Sequence, residues 1–131
     1  MNDINGYIGI ELDYFNLINI SGYTVDNLLN GKDATEDVKI LLRLMLKCEN
    51  NEPINKPIYI TYIDEDGRRT TPKNVEIVDM EFIDGEEHTN AIAVPLKLFY
   101  SGVESDGKWP VLASCFLAFY KETREVYFRI N

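Results

Sequence analysis

The side chains best suited to chemistry lie near the end of the chain: Trp109, Arg124, Tyr127 and Arg129. A guanidinium beside aromatic strand residues can hold an anion through its forked N–H donors or stack on a flat ligand. Trp109, at the entrance to a strand, would supply one wall of such a site. The competing use is structural, because arginine stems pack along sheets and pair with surface acids. A second set is acidic. Asp79 and Glu81 stand two apart, a spacing that puts both carboxylates on one face of a strand, and Glu86-Glu87 follow in a charged turn. These four residues are the candidate docking surface for a basic partner, although an outward polar face gives the same pattern.

Catalysis finds little support. His88, the single histidine, reads as a solvent-facing residue of the acidic turn and has no cysteine near it, so neither a zinc site nor a Ser-His-acid triad is indicated. Asp64-Glu65-Asp66-Gly67 offers oxygens to a divalent cation but lacks the spacing of a calcium loop, and a tight turn selects Asp and Gly anyway. Neither phosphate-binding glycine pattern occurs, and no serine sits in a nucleophile elbow. Cys48 and Cys115 lie in the apolar contexts LMLKCE and ASCFLAF, with no base to lower a thiol pKa. Both read as buried free thiols. The expectation is a non-enzyme with no metal and no cofactor.

Charge narrows the partners. The net charge is −9, with nine acids and five bases in residues 1–57 and thirteen acids and eight bases in 58–131. There is no basic stripe to follow a phosphate backbone, so direct nucleic-acid binding is disfavoured. A basic protein is the complementary partner. Cysteine usage points to the cytoplasm. The start MNDINGYIGI lacks the pattern of a signal peptide, and the longest apolar run is too short for a membrane span.

The length of 131 residues and apolar fraction of 45% fit one folded domain, 1–131. Residues 1–57 read as a helical N-terminal part and 58–131 as an antiparallel sheet. YIGIEL is a short strand candidate, Ser21-Gly22 a turn, and Thr24 a cap for a short helix that ends at Gly31. The clearest helix is Thr35–Glu49: Val38, Leu41, Leu42 and Met45 share a face, with Asp33 as cap and Glu36 completing a capping box.

From Ile58 the period changes to two. IYITYI (Ile58–Ile63) is a strand rich in branched and aromatic residues. In VEIVDMEF (Val75–Phe82) the phase slips between Ile77 and Val78, which calls for a bulge or strong bend. AIAVPLKLFY (Ala91–Tyr100) contains Pro95, which lacks a ladder donor and suggests an edge or irregular strand. Val111–Tyr120 is apolar on both faces and therefore covered twice. After a turn at Lys121–Glu125, Val126, Phe128 and Ile130 face inward, with Tyr127 and Arg129 opposite. The expected fold is α+β: a strongly bent antiparallel sheet of four or five strands, tending to a small, partly open barrel, under one main helix.

Part of this pattern resembles the WYL-type ligand-sensing domain. The matching residues are Trp109 before Val111-Leu112-Ala113, then Cys115, Arg124 and Tyr127-Phe128-Arg129-Ile130, with Ile60-Thr61-Tyr62 and Asp66-Gly67-Arg68 upstream. Pro110 replaces the tyrosine of that motif, the Ala91–Tyr100 strand is additional, and no helix-turn-helix unit precedes. The resemblance implies a sensing surface around Arg124 and Arg129. Two functions follow: a small acidic regulatory module that binds a protein, in concrete form an inhibitor occupying a nucleic-acid-binding surface, or a sensor of a small ligand or nucleotide.

Overall fold

IYITYI forms the central strand of a small sheet, because its alternate residues Ile58, Ile60 and Tyr62 are all buried. The computed structural model describes residues 6–96 and 116–129. Its elements run β1 (Ile8–Asp13), α1 (Tyr14–Ile20), α2 (Val25–Asn30), α3 (Glu36–Glu49), β2 (Ile58–Ile63), β3 (Lys73–Val75), β4 (Val78–Asp84), β5 (Glu87–Pro95), β6 (Phe116–Tyr120) and β7 (Val126–Arg129).

The fold is α+β, but the single bent sheet under one main helix needs correction. The described strands form two sheets, a three-stranded β1-β2-β3 and a four-stranded β4-β5-β6-β7, accompanied by three helices, and they do not close a barrel. The phase slip near Ile77 marks where the chain changes sheets. Val75 pairs with Ile58 in the first sheet, Glu76-Ile77 leave the ladder, and Val78 pairs with Ala93 in the second. Local alternation records that the phase changes; backbone pairing decides whether the result is a bend or a crossing.

The N-terminal part is not helical throughout. YIGIEL becomes β1 and lies parallel to β2, with Ile10 opposite Ile60 and Leu12 opposite Tyr62. Parallel neighbours need a long crossover, which α1, α2 and α3 supply. Asp13 ends β1 and starts α1 by accepting from the amides of Phe15 and Asn16. This helix of 7 residues escapes periodicity because it is too short to repeat a face.

Thr24 caps α2 as expected, through Asn27 N, and Gly31 follows its last residue. For α3 the cap is Thr35, whose Oγ1 accepts from Val38 N at 3.2 Å, and not Asp33. A cap must sit immediately before the first helical residue, and Asp33 is too far upstream. Glu36 instead pairs with Arg43.

Pro95 sits at the end of β5, opposite Phe116, while β5 itself is internal to its sheet. The missing donor is accommodated at the strand terminus and not at a sheet edge. In β6 the double covering is visible. Leu117 and Phe119 join the main core with β1, β2 and the helices, whereas Phe116 and Ala118 join a smaller cluster with Ala91 and Ala93, flanked by Val78, Met80 and Phe82. Residues Trp109 to Cys115, the end of the Ala91–Tyr100 strand and Ile130 lie outside the described residues. None of the described helices is long and apolar enough to cross a membrane.

Candidate functional site

Alternation along β7 turns Val126 and Phe128 into the core and leaves Tyr127 and Arg129 on the opposite face. There Tyr127 packs against Tyr120 with ring centroids 5.1 Å apart. Arg129 lies 5.1 Å over the Phe82 ring and donates to Tyr120 Oη at 3.3 Å. Phe82, Ile83, Asp84, Phe116 and Arg129 line a recess of about 250 Å³ beside this cluster. Tyr127 Oη donates to Glu125, and that bond to a carboxylate holds the phenol above its ordinary pKa.

Arg124 does not belong to this face. It occupies the turn between β6 and β7 with φ of 66°, packs over Phe119 and donates to Glu49 at the end of α3. Hydrogen bonding to Glu49 raises its pKa further. The four-residue ligand set therefore divides: Tyr127 and Arg129 are together, Arg124 is a strut between elements, and Trp109 is outside the described residues. Periodicity could not signal this, because a turn residue has no face to share with a strand. Phe82 and Tyr120, which complete the aromatic surface, become visible only through the ladder that sets their strands side by side.

The acidic set gathers on the β4–β5 hairpin. Asp79 pairs with Lys121 at 2.8 Å, and Glu81 Oε2 lies 3.1 Å from His88 Nδ1. His88 is thus an exposed strand residue opposite Ile83, not part of the turn. Gly85-Glu86 make the two-residue connection, with positive φ at Gly85. Asp84 is consequently opposite Glu87. Asp84, Glu86 and Glu87 have no ion pair among the described residues, while adjacent Ile83 is 63% exposed. Asp84 and Ile83 were missing from the sequence-based set. The signal was the Asp-Gly pair itself, which places its flanking residues across from one another.

A recess of about 590 Å³ opens where the two sheets meet and is lined by Cys48, Asn51, Ile54, Asn74, Val75 and Ile77 among others. Cys48 is a free thiol, half-buried, with Sγ 4.0 Å from the carbonyl of Ile77. Burial, and then the negative charge of Asp79, push its pKa up, the opposite of what a nucleophile requires. No group of three or more metal-ligating side chains occurs among the described residues. Comparison with family models, curated proteins and solved structures finds nothing that matches this chain.

Proposed function

We propose that this chain is a non-catalytic protein-binding module whose partner presents a basic surface. The observation that carries this reading is the end of the β4–β5 hairpin, where Asp84, Glu86 and Glu87, without an ion pair among the described residues, adjoin the exposed Ile83. Like charges crowded on one hairpin repel in the free protein, and a cationic partner relieves that repulsion. Ile83 adds apolar area for the partner to cover. The net charge of −9 steers encounter in the same sense. A small inhibitor seated on a nucleic-acid-binding surface is the concrete form.

The test is retention of a partner from native cell extract on the immobilised chain, read against salt. Retention is strong at low salt and lost by ~0.5 M, where screening is nearly complete. Glu86→Lys with Glu87→Lys weakens it severely, while Glu65→Lys with Asp66→Lys, at a different turn, leaves it intact. Equal loss from both pairs means that only net charge matters, and salt-indifferent retention removes the basic-partner reading.

A second reading, a sensor of a small ligand or nucleotide in the manner of a WYL-type domain, draws on the recess beside Phe82, Phe116 and Arg129. It now lacks Arg124. A thermal-shift panel of nucleotides that stabilises the protein but not Arg129→Ala supports it; a panel without any response removes it.

A further inference from the structure

The β4–β5–β6 ladder determines which backbone groups of β4 face away from β5. Lys121 N donates to Asn90 O at 2.9 Å, so Asn90 directs its peptide groups toward β6. Its neighbour across the other ladder is Glu81. That pair is therefore of the type that exchanges no hydrogen bonds, and Glu81 points its N–H and C=O outward. By alternation Asp79 and Ile83 do the same, while Val78, Met80 and Phe82 bond to β5. Asp79, Glu81 and Ile83 make no backbone hydrogen bond to any other described segment.

The opposite edge of the same sheet is closed. Gly22 N donates to Val126 O, Val126 N to Tyr23 O, and Val25 N to Arg124 O, so the segment before α2 covers β7. Among the described residues β4 has no such cover, and its sequence VDMEFID contains neither the lysine nor the proline that commonly blunts an edge. The open stretch starts after Ile77, where the Cys48 thiol approaches the carbonyl.

Side chains say what can pair there. On one face an added strand would meet Val78, Met80 and Phe82; on the other it would meet Asp79, Glu81 and Ile83. Lys121 and His88 contact one oxygen of each carboxylate, which among the described residues leaves Asp79 Oδ1 and Glu81 Oε1 available. A second copy of this chain is a poor occupant: antiparallel pairing of two β4 strands centred on Glu81 sets carboxylate against carboxylate, between molecules of charge −9. We infer that β4 accepts an extended segment of a basic partner as a fifth strand, with lysine or arginine beside Asp79 and Glu81 and apolar residues between them. This rests on the basic-partner reading and specifies how the partner docks.

The test uses a short synthetic peptide of alternating lysine and valine, and the same peptide N-methylated at its lysines so that charge remains but the donors of the edge that faces β4 are lost. Titrated into the isotope-labelled protein, the first peptide shifts the amides of Asp79, Glu81 and Ile83 and slows their exchange. The methylated peptide binds more weakly by about tenfold or more, as the loss of several backbone hydrogen bonds requires. Glu81→Pro, which removes an outward N–H without touching the β5 ladder, reproduces that loss, whereas Glu81→Gln lowers affinity only a few fold. Equal binding of both peptides overturns strand addition and leaves charge-driven docking standing. Binding of neither peptide at low salt overturns both. If Glu81→Pro does not fold, the peptide comparison decides.

Discussion

Arg124 donates to both carboxylate oxygens of Glu49, at 2.7 and 3.1 Å, across 75 residues of sequence. This pair joins the last turn of α3 to the turn between β6 and β7, and so connects the helical layer to the four-stranded sheet. Its two-point geometry is the strong form of an arginine–carboxylate contact. Arg124 keeps 39% of its side chain exposed and Glu49 19%, so solvent screening reduces the gain.

A double-mutant cycle with Glu49→Gln and Arg124→Gln, read by urea unfolding, is therefore expected to give a coupling of about 1 kcal/mol, smaller at high salt. A coupling indistinguishable from zero would show that the contact is incidental and return Arg124 to the pool of binding residues.

Capping gives a sharper contrast. Thr35→Ala removes the acceptor for Val38 N and costs about 1 kcal/mol of stability. Asp33→Ala, the residue favoured by the capping-box pattern, stays within ~0.5 kcal/mol. If the larger loss falls on Asp33, α3 begins elsewhere.

Cys48 makes a prediction about pH. Its folded-state pKa is raised, so at mildly alkaline pH it holds less thiolate than an unfolded cysteine does. Alkylation by iodoacetamide, followed by peptide mapping from pH ~7 to ~10, should lag the unfolded chain, its rise displaced to higher pH. The same sign governs stability. The contribution is complete below the unfolded pKa and is lost as pH rises through the folded one. Alkylation of the native protein as fast as the denatured one contradicts this environment.

The two faces of the four-stranded sheet differ in cost. Leu117 is fully buried in the main core, and Leu117→Ala should destabilise by about 2–5 kcal/mol. Arg129→Ala, at an exposed cation–π contact, should cost below ~1 kcal/mol. A large loss at Arg129 would make it a structural residue and would end the ligand reading of that face.

Much of the local structure was legible. The β2 bounds, the Thr24 cap, the turn at Asp64–Gly67 and the inward placement of Val126 and Phe128 all follow from patterns within a few residues. The turn, for example, is held by Asp64 Oδ1, which accepts from Asp66 N and Arg68 N, with Gly67 at positive φ. The candidate site was legible only in pieces. Tyr127 and Arg129 share a face because they are two apart on one strand, but Arg124, five residues earlier than Arg129, required knowledge of where the turn sends it.

What the chain by itself determined is which residues avoid water and with what period, because side-chain direction repeats every two residues in a strand and every 3.6 in a helix. It also set the phase break at Ile77 and the crowding of acids at the hairpin. Tertiary structure alone decided that β1 joins β2 in parallel, that the phase break separates two sheets, and that among the described residues β4 has an open edge while β7 is covered. Strand partners are chosen by hydrogen bonds between distant segments, and one strand's alternation is equally compatible with several of them. Asp79 and Glu81 therefore announce an acidic strand in the sequence, but only the β5 ladder says that their backbone faces outward.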